Sequence, residues 1–129
     1  LVELQHELIV YLPDNSPYVR IPVVVEVQNV STAPATITID TIDFRTRKVD
    51  NIVVNKSLRW EGKLRYIDLV IPAGQVMSLP FLVIATQCGV FDLNHFVVKV
   101  LDEGGNMVEK KMEIQSFVNI QREQSVVMV

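Results

Sequence analysis

Apolar and polar residues alternate along most of the chain. Val19, Ile21, Val23, Val25 and Val27 are five alternate apolar positions, separated by Arg20, Pro22, Val24 and Glu26. A strand points successive side chains to opposite faces, so this stretch predicts one face on a core and one toward water. Pro22 has no amide to donate, which predicts an edge position or a strand start. Leu4, Leu8, Val10 and Leu12 share a face with His6 and read as an earlier strand, ended by the turn signal Asp14-Asn15-Ser16-Pro17. Residues 29–34 read as a hairpin connection into the β-branched run at 36–42.

Residues 45–57 are polar and mixed and read as a long loop. A short strand follows at 58–60, then a turn at 61–63, a strand at 64–71 and a turn at 72–75. The most apolar segment, 76–86, predicts the most buried strand. Residues 91–102 and 107–118 are two more strands, joined by the tight hairpin signal Glu103-Gly104-Gly105-Asn106. No stretch has a helical period. About seven strands with turns between them predict an all-β, two-sheet sandwich of immunoglobulin or fibronectin type. Its core would include Val23, Val25, Val27, Leu79, Phe81, Val83, Phe96, Val98 and Val100, with Trp60 between the sheets. Residues 1–118 form one sandwich domain in this reading, and 119–129 a further strand or tail.

Length and composition narrow the class. The chain has 129 residues, 49% of them hydrophobic and 21% charged. That is globular composition, and a chain of this size buries roughly 65–70% of its unfolded surface without staples. No cationic stretch followed by a cleavable apolar segment opens the chain, and no apolar run has the length of a membrane-crossing helix. The expectation is a soluble intracellular domain. A net charge of −3 excludes a broad electrostatic footprint for nucleic acid.

Candidate chemistry is sparse. Two histidines, His6 and His95, and one cysteine, Cys88, lack the spacing of metal ligands. The reading is therefore no metal, no cofactor and no catalytic residue. Cys88, before Gly89 in a connecting loop, reads as a small buried hydrophobe rather than a nucleophile. Asp40 and Asp43 lie at a strand end, where solvated carboxylates are ordinary. Gly104 and Gly105 form a hairpin and no phosphate loop. The sequons Asn29-Val30-Ser31 and Asn55-Lys56-Ser57 read as chance.

Charge is unevenly distributed. Arg45, Arg47, Lys48, Lys56, Arg59, Lys63 and Arg65 face only Asp50 and Glu61 in residues 45–65, a net of +5; five bases and thirteen acids leave the rest at −8. These seven bases are a candidate interaction patch for an anionic membrane surface or an acidic partner. The competing reading is a solvated loop and turn with charges pointing in several directions.

Three strings carry a family resemblance: Leu58-Arg59-Trp60-Glu61-Gly62-Lys63, then Ile71-Pro72-Ala73-Gly74-Gln75-Val76-Met77-Ser78-Leu79, then Thr86-Gln87-Cys88-Gly89-Val90-Phe91-Asp92-Leu93. The chain resembles the C-terminal immunoglobulin-like domain of large TRAPP vesicle-tethering subunits, nearest to the large subunit specific to TRAPP III. The resemblance implies a non-catalytic domain that contacts other TRAPP subunits and supports Rab GTPase activation in ER–Golgi traffic and autophagy. It implies a cytoplasmic location, peripheral to Golgi, early secretory or autophagic membranes. Exchange chemistry in such complexes is carried by other, small subunits. Phe91 stands where a tyrosine corner would place a hydroxyl, so that hydrogen bond is missing here. The alternative is an appendage-type peptide-binding module of another trafficking coat or adaptor, for which a shallow apolar groove with a basic rim would speak.

Overall fold

The computed structural model describes residues 2–4, 7–13, 15–44, 48–49, 52–53, 57–110 and 116–122. These form thirteen strand segments, ten of them four residues or longer. In chain order they are β1 (Val2–Leu4), β2 (Glu7–Leu12), β3 (Val19–Gln28), β4 (Ala35–Thr41), β5 (Lys48–Val49), β6 (Ile52–Val53) and β7 (Leu58–Glu61). They continue with β8 (Arg65–Ile71), β9 (Val76–Ala85), β10 (Gly89–Asp92), β11 (Phe96–Leu101), β12 (Met107–Lys110) and β13 (Phe117–Arg122).

Two layers enclose the core. One is the antiparallel sheet β1-β3-β9-β7. The other combines β12-β11-β4-β8 with β10-β13-β2. The chain passes from one of these last two sheets to the other within three residues, from β10 at Asp92 to β11 at Phe96, and the bond from Leu93 N to Ser116 O at 2.7 Å extends the β10/β13 ladder toward that link. The first segment of the chain divides between layers: β1 pairs with β3, while β2 pairs in parallel with β13. Such switching ties the two sheets at one edge, as in immunoglobulin-type sandwiches.

The strand count exceeds seven for local reasons. The strand expected at 91–102 is two, β10 and β11, interrupted where His95 N turns back to Leu93 O at 2.8 Å. The 45–57 segment holds the two-residue ladder of β5 and β6. The division expected at 118/119 falls inside β13, which lies between β10 and β2; residues 123–129 are outside the described residues. Residues 29–34 are no hairpin, since β3 and β4 belong to different layers. Asn29, only 6% exposed, makes that crossover. Its Nδ2 donates to Ala33 O at 2.8 Å and Ile71 O at 2.9 Å, while its Oδ1 accepts from Ser31 N at 3.0 Å.

The inner face of β3 contributes Ile21, Val23, Val25 and Val27, all buried, and the facing strand β9 contributes Leu79, Phe81, Val83 and Ala85. Each large aliphatic side chain removed from water contributes about 1.5–3 kcal/mol. Phe96 and Val98 close the core from the second layer, and Val100 packs half-buried against it. Phe81 is the aromatic hub, with ring centroids of Phe96, Tyr66 and Trp60 at 5.0, 5.2 and 5.8 Å. Trp60 also stacks on Phe44 at 5.0 Å and donates its Nε1–H to Ile42 O at 3.1 Å. It is therefore a partly buried core residue.

Two prolines stand where a ladder has ended. Pro22 pairs opposite Leu82 in β9, whereas β1 reaches only Val25–Val27 of β3. Pro80 pairs opposite Val24, whereas β7 reaches only residues 82–85 of β9. At each site the strand lacks a described neighbour on its second side, so the missing amide leaves no gap in a described ladder. Gly89 has φ +148°, and an added Cβ would stand 3.0 Å from the Phe91 ring, so a side chain here is strained and pushes on that ring.

Candidate interaction surface

The described bases of the candidate patch point three ways. Arg59 lies between the core residues Leu58 and Trp60 on β7, so it stands on the outer face of the first layer. Arg65 belongs to β8 in the second layer and meets Asp40 at 3.8 Å, both side chains well exposed. Lys63 lies in the turn between them, its Nζ 4.2 Å from the Tyr66 ring centroid. Tyr66 in turn donates its hydroxyl to Pro80 O at 2.7 Å, which places Lys63 beside the seam between layers. Arg45, Arg47 and Lys56 lie outside the described residues; Lys48 is described only as part of the β5 backbone.

A different grouping forms on the outer face of the first layer. Ile84 pairs with Arg20 of β3 on one side and Arg59 of β7 on the other. In an antiparallel sheet, directly paired residues share a face. Arg20, Ile84 and Arg59 therefore form one row across three strands. Ile84 is 5% exposed, yet it is absent from the core cluster because it faces away from it. The neighbouring row holds Tyr18, Thr86 and Ser57, with Thr86 N donating to Ser57 O at 3.0 Å. This row lines a shallow groove of about 300 Å³ with Ile84, Arg59, Pro17 and Leu58, and Arg20 stands beside the groove rather than in its lining. Arg20 sits 5.4 Å from the Tyr18 ring centroid, a cation–π distance that holds one wall in place.

The groove has an apolar floor, with Arg59 in its wall and Arg20 behind Tyr18 on the other side of Ile84. Among the described residues no carboxylate lines it; the same outer face carries Glu61, two residues beyond Arg59 on β7, and Glu26, farther along β3. Further along β9 the outer face continues with Leu82 and Pro80. Sequence reasoning selected Arg59 but missed Tyr18, Arg20 and Ile84. Their signal was the unbroken apolar run at 79–85, where a strand with one wet face should alternate.

Elsewhere the chemistry is sparse. Among the described residues, no three His, Cys, Asp or Glu side chains group as a metal would require. Cys88 is exposed and not the buried hydrophobe expected, because it lies in the connection between β9 and β10 outside both strands, and the His95 ring packs on Phe44 at 4.4 Å.

Comparison with individually curated proteins gives no match. A family model described as the TPPC8 C-terminal Ig-like domain matches residues 5–101. That span holds β2 through β11 and includes Arg20, Arg59 and Ile84. With three quarters of the chain matched and an all-β sandwich observed, the chain belongs to this family, the C-terminal immunoglobulin-like domains of TRAPP subunit eight.

Proposed function

We propose that this domain is a non-catalytic protein-interaction element of its TRAPP subunit, binding other subunits of the complex. Family membership over residues 5–101 carries the reading. The surface chemistry agrees with it, since Ile9, Tyr11 and Val90 are exposed on β2 and β10 of one layer and the groove opens on the other. Apolar side chains exposed on two faces suit a domain that packs against protein. In this proposal the domain supports Rab GTPase activation in ER–Golgi traffic and autophagy by placing the complex, while exchange is catalysed elsewhere. It works on the cytoplasmic side, peripheral to Golgi, early secretory or autophagic membranes.

The divergence of Arg59, Lys63 and Arg65 favours protein contact over direct attraction to anionic lipid, which needs several bases on one face. The test is reconstitution. The purified 129-residue chain is mixed with recombinant TRAPP subunits and resolved by size-exclusion chromatography. Co-elution with at least one subunit is expected. Failure to co-elute with any of them, from a chain that melts cooperatively, refutes the proposal.

A further inference from the structure

We propose that the groove over Ile84 docks an extended acidic segment of a partner protein, carrying one apolar side chain with a carboxylate two residues away on each side. This rests on the reading of the domain as an interaction module and names the chemistry of one partner.

The floor selects an apolar group. Ile84 faces outward in a depression walled by Tyr18 and the Arg59 stem, with the volume to seat a single large side chain. An inorganic anion would leave that floor uncovered. The flanks select carboxylates. Arg20 and Arg59 stand on the two strands beside β9, so their Cα atoms are two strand spacings apart, on the order of 10 Å. Among the described residues neither guanidinium forms an ion pair. An extended peptide sends alternate side chains toward the surface beneath it. Residues i−2, i and i+2 therefore descend together, with about 13 Å between the outer two. Two long arginine arms reach outward across that span. The matching segment crosses the strands, with its acids on Arg20 and Arg59 and its apolar residue on Ile84. Glu61, in the adjacent row opposite Leu82, repels an acidic chain from that side and turns it toward Pro17 and Thr86.

The probe is fluorescein-labelled Ser-Glu-Ser-Leu-Ser-Glu-Ser, read by anisotropy and by amide chemical shifts of the 129-residue chain. The expected result is salt-sensitive binding with shifts centred on residues 82–86. Replacing the central Leu by Ser, or Arg59→Glu in the protein, should weaken binding by about tenfold or more. Arg65→Glu, on the opposite layer, should leave it unchanged, and Arg59→Gln should fall between. Unchanged thermal melting of both Arg59 variants separates lost binding from lost folding. Absence of shifts at millimolar probe, or equal losses from Arg59→Glu and Arg65→Glu, overturns the proposal. So does tighter binding to phosphatidylserine vesicles than to the probe. Probe failure with intact subunit co-elution refutes the groove alone; probe binding without any co-elution refutes the subunit reading alone.

Discussion

Replacing Asn29 by Ala should be among the most damaging single-atom-group deletions in this domain. The side chain joins the end of β3 to the end of β8 through Nδ2–H···O of Ile71, a buried bond of 2.9 Å. It also shapes the crossover through Ala33 O and Ser31 N. Ser31 Oγ lies 2.6 Å from Oδ1 and completes the set. A typical hydrogen bond contributes about 0.5–1.5 kcal/mol net, but stranding a buried partner costs about 1–3 kcal/mol. In Asn29→Ala the Ile71 carbonyl is stranded, whereas water can reach the partly exposed Ser31 and Ala33 groups. The sum is about 2–4 kcal/mol. Domains of this kind hold about 5–15 kcal/mol in total, so the loss is a large fraction. With a urea slope of about 1.5 kcal/mol per molar, the midpoint should fall by roughly 1.5–2.5 M.

Asn29→Asp provides the sign test. It keeps the acceptor toward Ser31 but replaces the donor with a carboxylate oxygen facing two carbonyls. At neutral pH it should be no more stable than Asn29→Ala. Urea unfolding followed by Trp60 fluorescence and far-ultraviolet circular dichroism measures both variants. An Asn29→Ala midpoint within 0.3 M of the parent, about 0.5 kcal/mol at that slope, would show that the crossover is held by its backbone bonds to Gln75 and Gly74 alone.

Three further substitutions test the packing. Trp60→Ala should cost about 3–5 kcal/mol by opening a cavity beside Phe44, Phe81 and Phe96, read as a lowered denaturant midpoint by circular dichroism; a loss under about 1 kcal/mol would contradict its place in the core. Gly89→Ala should cost about 1–3 kcal/mol, because its new Cβ meets the Phe91 ring and its φ is strained; in the double variant with Phe91→Leu, a coupling of zero would refute that contact. Asp68, at φ 53° in the β8 bulge opposite Thr38, should tolerate Gly with a change between zero and about 1 kcal/mol of added stability, while the β-branched Asp68→Val loses at least about 1 kcal/mol, both read from thermal melts.

Much of the sandwich was legible because its core strands obey period 2. The inner faces of β3, β9 and β11 follow directly from Val23, Val25, Val27, Leu79, Phe81, Val83, Phe96 and Val98, all buried. What the alternation could not reveal was which strands pair. Residues 29–34 carry turn chemistry, which specifies a reversal but not whether the chain returns within its own sheet or crosses to the other. Here the choice follows from Asn29, whose donors reach Ile71, 42 residues away. A sequon motif and a structural crossover use the same Asn-x-Ser pattern, since a small hydroxyl two residues on can meet the asparagine carbonyl in either setting. The interruption at residues 93–95 is a different case. Here a trace was present but unread: Leu93 and Phe96 are both buried yet three apart, a phase slip that one continuous strand cannot make.

The candidate surface was harder to read because sequence distance is a poor coordinate for charge in a sandwich. Lys63 and Arg65 are two apart, and on one strand they would share a face. Lys63, however, lies in the turn at Gly62, where the chain leaves β7 in one layer and enters β8 in the other. Arg59 and Arg65, six residues apart, therefore stand on opposite outer faces. Arg20 and Arg59, 39 residues apart, stand together because each pairs with Ile84. The legible trace of that convergence was β9 itself. Its outward positions are Val76, Ser78, Pro80, Leu82 and Ile84, with one polar residue among five. A strand whose second face served only solvation would carry polar residues there. An apolar outer face on a strand paired on both sides along 82–85, with bases on both sides of Ile84 and Glu61 beside Leu82, is the pattern expected where a sheet meets a partner whose acids lie over Ile84. It locates the interaction on β9, a strand that contains no base at all.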